Sequence, residues 1–157
     1  VYVETSFVSA CVTDRVDATS IHRRGISLEW WTTQAGSHDL FTSAEVLGEL
    51  NHPDFPHRQS ALNLVQEVPL LAITEDVQGL ATLLVREKVM PGPVAGDAIH
   101  VAVATIHEMD YLLTWNVRHL ANPSKLTHLG TICMRVGLLP PQIVTPESLW
   151  EENHDIR

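Results

Sequence analysis

Basic residues are scarce in this chain of 157 residues: ten Lys and Arg stand against nineteen Asp and Glu, for a net charge of -9 and a pI near 5.3. That balance argues against a protein that coats nucleic acid through a broad basic surface, because such binding works by neutralising phosphates. Cysteine is scarcer still. Cys11 and Cys133 lie far apart and form no CxxC pair, so a disulfide framework and a thiolate zinc site have nothing to build on, and both read as buried thiols in a reducing cytosol. No apolar run nears the ~20 residues that cross a bilayer, and no charged segment leads into the apolar stretch of a signal peptide. A cytoplasmic protein with no membrane partner is the expectation. The absence of a P-loop and of GxGxxG leaves nucleotide hydrolysis and dinucleotide binding without support. Internal repeats, low-complexity tracts and Ser/Gly linkers are also missing.

What is present is enough apolar surface, 45% of residues, to bury one full core. A single domain over 1–150 with a tail at 151–157 is expected. Short β-rich runs alternate with helix-length amphipathic runs, the pattern of βα units that build a parallel sheet in an α/β fold. Strands are expected at 1–3, 40–42, 70–73, 111–114 and 142–144. Thr5 and Ser6 are placed to cap a helix beginning near Phe7, and Asp17 opens a longer one with Ile21, Leu28 and Trp31 on one face. Ser43 precedes a helix over 44–50, and another runs over 56–65. Thr74 opens a helix in which Val77, Leu80, Ala81, Leu84 and Val85 keep the 3.6 period. Further helices are expected over 97–108 and 126–136, and Thr145-Pro146-Glu147 reads as a cap after the last strand.

In open α/β sheets, ligands bind beyond the carboxyl ends of the strands, where strand order reverses. Glu4 leaves the end of the first strand, Glu49 sits in the helix after the second, Asp97 begins the helix before the fourth, and Asn116 follows the fourth. If strands 1 and 4 are neighbours and strand 2 lies beyond strand 1, all four converge on one crevice, which implies the order 3-2-1-4-5. An acid directly after Val1-Tyr2-Val3, in a strand end buried on both faces, is costly unless a metal or hydrogen bonds compensate it. Asp97 at a helix start also fits simple dipole stabilisation. Glu45 lies one turn before Glu49 on the same face, so either can be the site residue or a solvated acid.

The segments Val3-Glu4-Thr5-Ser6, Ser43-Ala44-Glu45-Val46-Leu47-Gly48-Glu49, Gly96-Asp97-Ala98-Ile99-His100-Val101-Ala102 and Leu112-Leu113-Thr114-Trp115-Asn116-Val117-Arg118-His119 resemble the PIN-domain nucleases. Within that family the likeness is to VapC-type toxins of bacterial toxin-antitoxin modules, and it extends over nearly the whole chain. It implies a PIN-like three-layer α/β/α domain and an endoribonuclease dependent on Mg²⁺ or Mn²⁺. Carried over position by position, it implies Glu4, Glu49 and Asp97 as metal ligands, with Asn116 and Thr114 completing the catalytic group. The Ser-x-x-Val-x-x-Glu spacing selects Glu49 over Glu45. Two positions depart from the family pattern: Glu4 where Asp is usual, and Asn116, a neutral carbonyl oxygen, where an acid is usual. Three negative ligands instead of four favour a site dominated by one metal.

The resemblance also implies an RNA substrate, a small cognate antitoxin protein that inserts a basic residue among the carboxylates, and a homodimer. Arg118 and His119, which follow the site strand directly, are the preferred RNA-binding residues over Arg15, Arg23, Arg24 and Arg58. Trp30 and Trp31 read as helix-packing or dimer residues before base-stacking ones. Nine histidines form neither HExxH nor HxH, so a zinc site is not expected, and His100 reads as a partly buried polar residue beside Asp97. The alternative function is a PIN-like scaffold or regulatory subunit with a weakened site, which Asn116 favours. A receiver-like acidic pocket lacks its strand-end lysine and ranks last.

Overall fold

Short polar residues ahead of apolar runs set where the longer helices begin. A computed structural model describes residues 1–152; from residue 153 onward the expected tail lies outside the described residues. In chain order the elements are β1 (Tyr2–Val3), α1 (Thr5–Val12), α2 (Ala18–Thr33), β2 (Thr42–Ser43), α3 (Ala44–Leu50), α4 (Arg58–Leu64), β3 (Leu70–Leu71), α5 (Glu75–Arg86), α6 (Asp97–Ile106), β4 (Tyr111–Leu113), α7 (Pro123–Arg135) and β5 (Gln142–Val144). Asp17 caps α2 by accepting from Ser20 N–H at 3.1 Å, and Thr74 caps α5 by accepting from Val77 N–H at 3.3 Å. α7 begins three residues before its expected start, because Asn122 caps it and Pro123 takes the first helical position. Among the described residues no helix follows Thr145; Ser148 folds back on it instead, in a turn held by the Thr145 backbone.

One helical face departs from the expectation. In α2 the buried residues are Ser27 and Trp30, while Ile21 is exposed and Trp31 lies at the margin, packed on Phe7. Polar side chains occupy the inner stripe because each finds a partner there. Ser27 Oγ accepts from Trp115 Nε1 at 2.7 Å, and Gln34, just beyond the helix, exchanges bonds with the backbone of Glu151. Trp30 is fully enclosed, edge-on to Phe7 at 5.5 Å, with its Nε1 donating to Leu149 O at 2.6 Å.

All strand pairs are parallel. β4 lies between β1 and β5, with Tyr2 opposite Leu112 and Leu113 opposite Val144, while β2 pairs with β3. The expected order 3-2-1-4-5 is not formed as one continuous sheet: the strands make a three-stranded and a two-stranded sheet, with one parallel bridge between Tyr2 and Phe41 setting the start of β2 beside β1. The reason lies at Thr42. Phe41 N–H donates to Val1 O and Val3 N–H to Phe41 O, each at 2.8 Å, but the next acceptor, Val3 O, is taken by the Thr42 hydroxyl at 3.0 Å, and the ladder stops there.

Between the sheet and α5 runs α6, buried from Ala98 to Thr105, as expected of a helix that is apolar nearly all round. His100 is the one ionisable side chain in that stretch. Among the described residues no helix is long and apolar enough to cross a membrane.

Candidate active site

The parallel register continues one step past the strands, bringing Glu4 beside Thr114. Glu4 N–H donates to Leu113 O at 3.1 Å, and the Glu4 side chain folds back over the start of α1, where it accepts from Ser6 N–H at 3.0 Å. Glu4 itself is therefore the helix cap, and Thr5 and Ser6, expected as caps, lie inside the first turn. The same Oε2 accepts from the Thr114 hydroxyl at 2.8 Å and from the Ser6 hydroxyl. Both hydroxyl protons are then spent on the carboxylate, so the two oxygens, 3.0 Å apart, serve outward as acceptors. Thr114 Oγ1 takes Asn116 N–H at 2.9 Å and Ser6 Oγ takes Trp115 N–H at 2.8 Å. Glu4 is only 4% exposed, yet three donors on one oxygen compensate it.

Glu49 is set by a repeat between two helices. On α3, Glu45 and Glu49 are one turn apart, and on the facing helix so are Gly96 and His100. Glu45 Oε1 accepts from Gly96 N–H at 2.7 Å, and Glu49 Oε1 meets His100 Nε2. Glu49 also accepts from the Thr5 hydroxyl at 2.9 Å, which ties α3 to α1. Gly96 has φ of 56°, a conformation suited to glycine, and it starts α6 so that Asp97 stands at the sheet edge.

His100 is held from both ring nitrogens: Nδ1 lies 2.7 Å from Tyr2 Oη, which in turn is 2.8 Å from Ser43 Oγ. Its Nε2 lies 4.0 Å from Glu4 Oε1, so His100 links the two glutamates. Burial works to lower the imidazole, but the Glu49 bond and the charges of Glu4, Glu49 and Asp97 outweigh it and leave it above its ordinary value. Burial likewise works to raise Glu49, and the bond and charge of His100 with the Thr5 hydroxyl bring it below its ordinary value. Tyr2 is pushed up, first by burial and further by the nearby carboxylates, and stays a phenol.

Asn116 Nδ2 stands 3.3 Å from each Asp97 oxygen, and its Oδ1 accepts from His119 N–H at 3.1 Å. Because His119 N–H can only donate, the carbonyl oxygen faces it and the amide NH₂ faces the carboxylate. The carbonyl oxygen expected from the sequence is thus turned away from Asp97.

No family model matches the chain, and no curated protein matches it. Among solved structures, Mycobacterium tuberculosis VapC20, a sarcin-ricin loop cleaving toxin, is similar in fold: the TM-score is 0.57 at 24% identity, covering 76% of this chain and 92% of that one. The chain has a VapC-like PIN fold.

At the edge of this PIN fold, two hydrogen-bonded groups lie side by side: Glu4 with Thr114, and Asp97 with Asn116, joined through the Thr114 hydroxyl and Asn116 N–H. Glu49 reaches Glu4 through His100. Three carboxylates and an amide suit a hard divalent ion in their chemistry. Their placement is that of a hydrogen-bonded cluster, and among the described residues no three His, Cys, Asp or Glu side chains are grouped to hold a metal.

Arg118 and His119 are exposed, on the wall of a cleft of ≈ 490 Å³ that opens beside Ser6 and Asn116. Sequence reasoning passed over Ser6 and Tyr2 and gave His100 to Asp97 alone. Its spacing of one turn from Gly96, equal to that of Glu49 from Glu45, was the available signal.

Proposed function

We propose that this chain is a VapC-like, metal-dependent endoribonuclease. The observation that carries the reading is the enclosed Glu4 carboxylate at the end of β1, 2.8 Å from Thr114 and 4.0 Å from His100, with Glu49 and Asp97 at the same edge of the sheet. The likeness in fold to a toxin that cleaves RNA supports it.

Glu4, Glu49 and Asp97 would hold Mg²⁺ or Mn²⁺, ions that take oxygen ligands and keep part of their water shell. Bound there, the ion supplies a water of lowered pKa and neutralises charge on the phosphate. The chain's own side chains fix the ligands. Ser6 and Thr114 orient Glu4, His100 and Thr5 orient Glu49, and the Asn116 amide orients Asp97. Arg118 and His119 stand where RNA leaves the site. In this reading the protein works in the cytoplasm as a homodimer, and a small antitoxin silences it by placing a basic residue among the carboxylates.

A second reading, a PIN-like scaffold acting through protein partners, is favoured by one observation: both Asp97 oxygens face the Asn116 amide where the family has an acid. Manganese calorimetry and an RNA cleavage assay on the wild type and Asp97→Asn separate the two. The nuclease reading expects saturable binding and cleavage that the variant loses; a wild type that neither binds manganese nor cuts RNA leaves the scaffold.

A further inference from the structure

We propose that the cleft beside the carboxylates grips the RNA backbone, with Arg23, laid over the Trp115 ring, holding a phosphate next to the one that is cut; this rests on the ribonuclease reading above. The cleft inverts the charge of the protein. In a chain with nineteen acids and ten Lys and Arg, its lining includes Arg15, Arg23, Arg118 and His119 and no Asp or Glu. One wall is a face of α1 carrying Ser6, Ser9 and Ala10 and continued by Thr13 just past its end, small and mostly hydroxylated, leaving room for a sugar-phosphate chain.

Arg23 is the group best prepared for this. Its guanidinium lies 5.2 Å from the centre of the Trp115 ring, and among the described residues no carboxylate stands within 4.0 Å of it. Trp115 beneath is held twice, its indole Nε1 donating to Ser27 at 2.7 Å and its backbone N–H to Ser6 at 2.8 Å. A planar fork held on a rigid ring has little freedom left to lose when it takes a phosphate. Ser6 also holds Glu4, so grip and candidate metal ligand share one support. Trp115 is 7% exposed, which leaves no open ring face for a base. The cleft therefore sets affinity and position and carries no sequence preference.

The test is binding of a short, labelled single-stranded RNA to full-length Asp97→Asn protein in EDTA, followed by anisotropy between about 50 and 200 mM salt. Adding Arg23→Gln should weaken binding roughly tenfold and reduce the salt slope by about 0.7, the loss of one phosphate contact on a single strand. Arg23→Lys should keep the slope, and Arg86→Gln, at the end of α5, should change neither. Arg118→Gln, at an exposed position, should also reduce the slope and serves if Arg23→Gln melts early. Unchanged affinity and slope in both Arg23→Gln and Arg118→Gln overturn the subsite and leave the ribonuclease reading intact. No RNA binding by any variant overturns both, and RNA binding abolished by millimolar inorganic phosphate, with no loss in Arg23→Gln, assigns the phosphate site elsewhere.

Discussion

Glu49 and His100 are bonded to one another one helical turn beyond the contact between Glu45 and Gly96, so α3 and α6 are joined by two successive carboxylate contacts in register. The pairing makes His100 a structural keystone as well as a neighbour of all three acids. Replacing it with Ala removes one of the two partners of Tyr2 Oη, leaving Ser43, and one of the two donors to Glu49, leaving Thr5. Water can reach Glu49, whose side chain is 39% exposed, so the loss stays below that of a fully buried pair. A destabilisation of about 2–4 kcal/mol is expected in urea unfolding, through a lower midpoint at unchanged slope.

Gly96→Ala tests the entry to α6. A Cβ there meets nothing within 4 Å, so any cost is conformational, from φ of 56°. About 1–3 kcal/mol should be lost. Thermal melting at wild-type stability would show that the loop relaxes to accept a side chain.

Ser27→Ala leaves Trp115 Nε1 without its acceptor in a buried place. The expected cost is about 1–3 kcal/mol, with altered near-ultraviolet dichroism from the loosened indole. If the cleft acts as proposed, RNA affinity should fall with it.

Cys11 gives a pH test. Burial pushes its thiol up to about 12, and Cys133 is raised for the same reason. The native state thus holds these protons more tightly than the unfolded chain, so this contribution to stability is full below pH 9 and is lost as pH rises toward 12. Iodoacetamide at pH 8 should leave Cys11 unmodified in the native protein and label it in urea. Rapid native-state labelling of Cys11 would contradict its burial.

Where a segment's partners are local, the sequence was readable. α5 shows its Thr74 cap and its apolar stripe directly, and β5 spans the three residues expected. α2 misleads because Ser27 and Gln34 occupy inner positions for the sake of Trp115 and Glu151, partners 88 and 117 residues away. The break between the two sheets was not legible either, because it turns on one threonine hydroxyl at the end of a ladder. Glu4, Glu49, Asp97, Thr114 and Asn116 could be selected from the resemblance, yet not the direction of the Asn116 amide, which His119 decides.

Glu4 and Thr114 are 110 residues apart in the chain and 2.8 Å apart in the fold. A ribosome adding about 5–20 residues per second therefore takes roughly 5–20 s to supply the second after the first. Throughout that interval the first glutamate lacks β4 and has no Thr114 to hold it. A site built this way cannot be completed on the ribosome before Thr114 has been made, so whatever chemistry it performs waits on the second half of the fold.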